Sequence, residues 1–244
     1  MAEHVVSARQ AASRGKSRED LETRERLLNA AARLFAERGF ARVTVRDICK
    51  KARANVAAVN YHFGGKDGLY RAVVETAIAT MQSTTDAARA AGKGKLPEAR
   101  LREYVNVFLH RVVGHAGDSW IHHLMMREMS DPTPALDMVA EQVLKPRMDY
   151  LCGVIGELID APPGDERVVR AALSVQSQFH ALTWTRMMTK LAPGFETTPD
   201  ALDAIAEHIT TFSLGGIREV RLKPDPTSLK PVPVSRSATG RGAP

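Results

Sequence analysis

Between Thr23 and Phe63 apolar side chains recur every three or four positions, and this helical period breaks only twice, at Gly39 and at Arg53-Ala54. In TRERLLNAAARLFAERGF, Leu27, Ala31, Leu34 and Phe35 fall on one face, and Gly39 stands at a C′ position that stops the helix. VTVRDICKKA follows, with Thr44 as a cap, Asp47 three residues on in a variant of the capping box, and Ile48 and Ala52 facing inward. After the second break Asn55 caps a third helix to about Phe63, Gly64-Gly65 ends it, and a fourth helix starts near Lys66 and continues through TAIATMQST. A long helix followed by two short ones across a tight turn is the outline of a helix-turn-helix unit.

The helical period continues along the chain, and no segment shows the alternation of a strand. AAGKGKLPEAR reads as a loop, with Pro97 suited to the first turn of the next helix. Helical pattern then covers Leu101 to about His115 and Trp120 to Met129. Thr133 and Pro134 offer a cap and first position, with Leu136, Val139, Ala140, Val143 and Leu144 following on one face. Pro146 lies inside that pattern and predicts a kink. APPGD breaks the chain before a long helix from about Glu166 to Lys190. Thr198-Pro199 repeat the cap arrangement for a last helix to about residue 214, with Leu202, Ile205, Ala206, Ile209 and Phe212 at helical spacing. The predicted fold is all-α: an N-terminal three-helix helix-turn-helix domain plus a C-terminal helical bundle.

Charge is unevenly distributed. Residues 1–80 hold 15 Lys/Arg against 9 Asp/Glu, residues 81–215 hold 13 against 17, and residues 216–244 hold 6 against 2. A basic front end facing a polyanion and a mildly acidic body fit that asymmetry. The two cysteines, Cys49 and Cys152, are lone and distant, which suggests neither a disulfide framework nor a zinc site. No stretch approaches the ~18–20 apolar residues of a membrane span, and the N-terminus lacks the apolar region of a secretory signal. A cytoplasmic protein that does not engage membranes is expected.

The motifs exclude most chemistry. NYHFGGKDG mimics a phosphate loop, but the first glycine position of G-x-x-x-x-G-K-[ST] is Asn60 and the hydroxyl position is Asp67. No Glu has a His three residues later, H-E-x-x-H is absent, and the adjacent His122 and His123 point about 100° apart on a helix. No nucleophile motif appears. No catalytic residue, metal site or cofactor is expected, and an enzyme is not.

DNA binding gains where these fail. On the second short helix Val59 and Phe63 would face Leu34, Phe35 and Ile48, leaving Val56, Ala57, Asn60 and Tyr61 outward. Small outward residues let a helix sink into the major groove, and the Asn60 amide can pair with a base, preferably adenine. Tyr61, His62 and Lys66 can reach phosphates, aided by the N-terminus of the fourth helix.

The order T-R-E-R-L-L-x-A-A-x-x-L-F-A-E-R-G-F, V-T-V-R-D-I, N-V-A-A-V-N-Y-H-F, K-D-G-L-Y, over about residues 23–70, resembles the TetR/AcrR transcriptional regulators. N-V-A-A-V-N-Y-H-F together with R-E-M-x-x-P-T at 127–133 is similar to the CerR-like subgroup. The resemblance implies a homodimer, a palindromic operator on double-stranded DNA, and a C-terminal domain that senses a small molecule and releases the repressor. It implies a DNA-contacting set of Thr44, Arg46, Asn55, Ala57, Asn60, Tyr61, His62 and Lys66. Thr44, Tyr61, His62 and Lys66 would hold phosphates, and Arg46, Ala57 and Asn60 would read bases. Arg53 departs from the family's turn glycine, at a cost of about 1 kcal/mol if the backbone is left-handed there.

The domains expected are a disordered basic arm at 1–18, a helix-turn-helix domain at 19–68, a sensing and dimerisation domain at 69–216, and a disordered Pro-rich basic tail at 217–244. Trp120, His123, Met126, Met129, His180 and Trp184 are the candidate effector contacts, since methionine suits a pliable pocket and His180 sits in an apolar helix. Glu128 and Asp131 are candidates to attract a cationic ligand. By the resemblance, the last two long helices would form a four-helix dimer interface, with Ala171, Ala172, Val175, Ala201 and Ile205 compatible. An architectural or cell-cycle DNA-binding factor without a ligand is the alternative, and it would need a core with no cavity.

Overall fold

A computed structural model describes residues 2–114, 119–183 and 185–222, with side chains from 18 onward other than at 180, 181, 185, 186 and 222. Helix α1 runs from Ala2 to Arg38. The arm expected to be disordered over 1–18 is therefore helical from Ala2, since no proline interrupts a stretch rich in Ala, Arg, Glu and Lys. Gly39 stops α1 at φ 79°, its amide donating to the Phe35 carbonyl at 2.8 Å. Helices α2 (Val45–Ala52) and α3 (Val56–Phe63) follow as the apolar period predicts.

Helix α4 (Lys66–Gly92) outlasts the expected end near Thr84, because its buried face continues through Thr84, Thr85 and Ala88. Pro97 opens α5 (Pro97–Phe108), which passes directly into a π-helical turn, π1 (Leu109–Val113). Helix α6 (Trp120–Ser130) and the short α7 (Ala135–Val139) lead into a second π turn, π2 (Ala140–Leu144), and then α8 (Lys145–Ile159). The disruption expected at Pro146 thus takes the form of π2 on its N-terminal side. A proline there withholds its N–H and crowds the Gln142 carbonyl, and that oxygen instead accepts from the Gln82 amide at 3.1 Å. The extra residue rotates the buried stripe: Val139 and Val143 stay buried, whereas Leu144, expected on the same face, is 42% exposed.

The helix expected over 166–190 is described as α9 (Glu166–Thr183) and α10 (Thr185–Leu191), on either side of residue 184, which lies outside the described residues. The last helix, α11 (Pro199–Leu222), continues past the expected boundary at 216. Residues 217–222 of the tail expected to be disordered thus belong to α11, and the remainder, 223–244, lies outside the described residues.

Two cores organise these helices. The first gathers Leu27, Leu34, Phe35, Ile48, Val59, Leu69, Val73 and Val74, and closes over Leu124, Val139 and Val143. The second joins Tyr104, Phe108, Leu151, Ile155, Val168, Val175, Phe179, Leu202 and Ile209. Helix α4 serves both, with Leu69 to Ile78 in the first and Ala88 in the second.

Candidate nucleic-acid interface

The segment from Thr44 to Lys66 is held by local hydrogen bonds that the sequence spells out. Thr44 Oγ1 accepts from the Asp47 amide at 3.2 Å, and Asp47 Oδ2 accepts from the Thr44 amide at 3.0 Å and from its hydroxyl at 2.6 Å. Those bonds, the hydroxyl's first, hold the Asp47 carboxyl below the usual carboxylate range. The turn after α2 passes through Arg53 at φ 51° and ψ 49°, left-handed as the missing glycine suggested. Asn55 Oδ1 accepts from the Ala57 amide at 3.0 Å, so the N-terminus of α3 is capped as expected. At the other end Gly64 is left-handed at φ 70°. Gly68 lets α3 and α4 touch, because a Cβ there would collide with the Phe63 carbonyl oxygen.

Val59 is fully buried, and Val56, Ala57, Asn60 and Tyr61 are exposed, Tyr61 at 76%. Thr44, Arg46 and Asn55 are also exposed. Along the chain before α3, Arg42, Arg46, Lys50 and Arg53 are all exposed, with no carboxylate within 4.0 Å among the described residues. Lys51 differs, with Nζ 3.6 Å from Glu37. Arg42 and Lys50 were not in the expected set; their signal in the sequence is only the basic run itself. A helix with small outward side chains and a margin of unmatched cations can enter a major groove and neutralise phosphates on both sides.

Two expected phosphate contacts also have partners within the chain. The His62 side chain is only 7% exposed and sits between the rings of Tyr61 and Phe63, with Nε2 3.5 Å from Asp20 Oδ1. It ties α3 to α1 instead of facing outward, because its position on α3 turns it toward the long helix. Lys66 Nζ lies 4.3 Å from the centre of the Phe40 ring, a cation–π contact that holds the ammonium near the start of α4.

The described effector residues named from sequence all lie on α6 and have different surroundings. Trp120 packs against the first core. His123 and Met126 line a cleft with the C-terminal end of α1, while Met129 is 67% exposed. His180 and Trp184 lie outside the described side chains. Nor is Glu128 available to a cationic ligand. It is 2% exposed, accepts from the Tyr70 hydroxyl, and accepts from the Thr133 amide and hydroxyl at 3.1 and 2.9 Å. Beside it Arg127 donates to the carbonyls of Ala36 and Glu37, capping the C-terminal end of α1. Helix α6 therefore grips both α1 and α4 through adjacent residues.

The outer face of α9 and α11 is open. Phe212, expected among the inward residues of the last helix, is 68% exposed, and Leu173 is 54% exposed. A groove of about 590 Å³ runs between them, lined by Ala171, Ser174, Val175, Gln178, Gly216 and Ile217 among others. Of the small residues expected at an interface, Ala172 is fully buried within the chain itself, and Ala171 borders the groove.

Comparison with known proteins matches this geometry. Residues 27–73 match the profile of bacterial regulatory proteins of the tetR family, and residues 97–217 match that of the C-terminal domain of the HTH-type transcriptional dual regulator CecR. The CerR-like subgroup suggested by sequence is thus replaced by CecR. The chain is 26% identical to CecR of Shigella flexneri over 156 residues, 61% of this chain and 70% of that protein. It is 40% identical to the probable regulator YttP of Bacillus subtilis (strain 168) over 52 residues, 21% of this chain and only 25% of YttP. A TetR-like transcriptional regulator from Rhodococcus sp. RHA1 shares the fold with a TM-score of 0.56 and 19% identity, covering 80% of this chain and 96% of that one. With an exposed, capped α3, a margin of unmatched cations and matches to both halves, the chain belongs to the TetR family of DNA-binding transcriptional regulators.

Proposed function

We propose that the protein is a homodimeric repressor that places two copies of α3 in successive major grooves of a palindromic operator, and that a small molecule bound in the C-terminal body releases it. The working division is residues 19–68 for DNA and 69–216 for sensing and pairing, acting in the cytoplasm; no described helix is long and apolar enough to cross a membrane. The carrying observation is the outward face of α3, where Ala57, Asn60 and Tyr61 stand clear of the protein while Val59 is buried. The open groove on α9 and α11 supports pairing, since an exposed Phe212 beside Ala171, Val175 and Ile217 is an apolar surface that a second copy would cover. In a dimer the two α3 helices must stand about one DNA turn apart, roughly 34–36 Å.

Capture of genomic DNA fragments by the purified protein, followed by a screen for compounds that release them, tests the reading. Asn60→Ala should relax preference at one base pair of the captured site, and Lys66→Ala should lower the salt slope of binding by about 1. An unchanged salt slope removes Lys66 from the phosphate set. Tight operator binding that no compound weakens favours the architectural alternative.

A further inference from the structure

The second core contains a charged group without a counter-charge. Arg147, on α8, is 7% exposed. Its guanidinium lies 4.5 Å from the centre of the Phe108 ring, and among the described residues its one hydrogen bond is from Nε to Thr85 Oγ1, at 3.5 Å. No carboxylate among the described residues lies within 4.0 Å of it. Neighbouring arginines are differently placed: Arg100 makes a two-pronged pair with Glu157 at 2.7 and 2.8 Å, and Arg89 donates to the Pro146 carbonyl at 2.9 Å. Burial pulls the Arg147 pKa down from the ordinary guanidinium value, the direction expected of a cation withdrawn from water. A buried, unpaired ion is strongly unfavourable, and a single aromatic face offsets only part of that.

Three further observations gather at this place. Phe108 is the last residue before π1, and Arg147 is the third residue after π2, so the two π turns flank the guanidinium. Such turns concentrate where a helix makes room for function. On the same face of α8, one helical turn on, the Tyr150 hydroxyl is buried against Gly92 and Arg100. Thr85 belongs to α4, the helix that begins at Lys66 beside the candidate DNA face, about 28 Å away along the axis.

We propose that Arg147 anchors the effector and that the effector is an organic carboxylate, its anionic head on the guanidinium. The planar fork of a guanidinium matches the two oxygens of a carboxylate. Drawing the guanidinium toward that head would take it from Thr85 and so disturb α4 directly. The proposal rests on the reading of the C-terminal body as a sensor, and it reverses the cationic ligand suggested by Glu128 and Asp131.

The test uses the full-length protein, its captured operator, and benzoate, phenylacetate and decanoate beside benzamide, phenylacetamide and decanol. Thermal unfolding should show stabilisation of the wild type by at least one carboxylate and by none of the neutral partners. Arg147→Lys, which keeps the charge and loses the fork, should need about tenfold more of that carboxylate for the same shift. Ligand-free Arg147→Met should melt about 2–4 °C higher than the wild type, since an unmatched ion is replaced by an apolar chain of similar length. Exposed Lys93→Ala should respond as the wild type does. The proposal is overturned if no carboxylate stabilises the wild type, if Arg147→Lys responds equally, or if Arg147→Met melts lower. Operator release is scored separately. A carboxylate that binds through Arg147 without weakening operator binding leaves the anion site standing and sinks the release mechanism. Release by neutral compounds alone, unchanged in Arg147→Lys, keeps the mechanism and sinks the anion site.

Discussion

Tyr70→Phe isolates the contact between α4 and α6. The Tyr70 ring packs edge-on against Phe35 at 4.9 Å and against Phe40 at 4.8 Å, and a phenylalanine keeps both contacts. What disappears is the hydroxyl that donates to Glu128, a carboxylate 2% exposed whose remaining donors are the amide and hydroxyl of Thr133. A hydrogen bond to a buried charged group contributes about 1.5–3 kcal/mol. For a chain of this size that is a fall in Tm of roughly 3–12 °C. Urea unfolding at fixed protomer concentration, as the proposed dimer requires, should show a lower midpoint with the slope unchanged. The decisive comparison adds Glu128→Leu: in that background the Tyr70 hydroxyl has lost its acceptor, so Tyr70→Phe should then cost almost nothing. A coupling energy above about 1 kcal/mol is expected between contacting groups of this kind. If the two substitutions add within about 0.5 kcal/mol, the assignment of Tyr70 as a donor to a buried charge is refuted.

Other substitutions probe other parts of the molecule. Arg53→Gly relieves a left-handed arginine at φ 51° and should raise stability by about 1 kcal/mol, or about 2–4 °C in Tm; an unchanged or lower Tm would mean the turn is not strained. Phe212→Glu puts a charge on the open face of α11 and should convert the protein to monomer in sedimentation analysis, whereas an intact dimer would place the pairing surface elsewhere. Asp165 is held at about 2, first by the Arg167 side chain and then by its amide. Its folded pKa lies below the unfolded value, so its contribution is present above about 3.9 and is lost as pH falls from there toward about 2. The Tm difference between wild type and Asp165→Asn should therefore be constant near neutrality and shrink across that acid window. A difference independent of pH would exclude the ion pair as its cause.

What could be read from the sequence was whatever depends on near neighbours. Thr44 with Asp47, the turn at Arg53 and the cap at Asn55 each act within three residues, and each is found where the pattern put it. The helices of the first core follow for the same reason. His62 was misplaced because its partner, Asp20, lies on another helix, and no local rule relates them. Lys66 over Phe40 and Glu128 under Tyr70 are contacts of the same distant kind. Leu144 and Phe212 fail differently. A π turn shifted the first out of register, and the second obeys the helical period but looks outward from its own chain. Arg147 left no mark at all, since a buried cation differs from a surface one only by what surrounds it.

The way α4 is shared limits how this protein can be recombined. A fragment ending at residue 68 would carry α2 and α3 intact yet lack Leu69, Val73, Val74, Ala77 and Ile78, which complete the first core. Adding α4 alone would still leave that core without Leu124, Val139 and Val143 from the middle of the chain. Grafting this DNA-reading unit onto another sensor therefore means transplanting an interface, with Arg127 and Glu128 as two of its fasteners. Any exchange of the C-terminal body therefore has to reproduce the collar where α1, α4 and α6 meet.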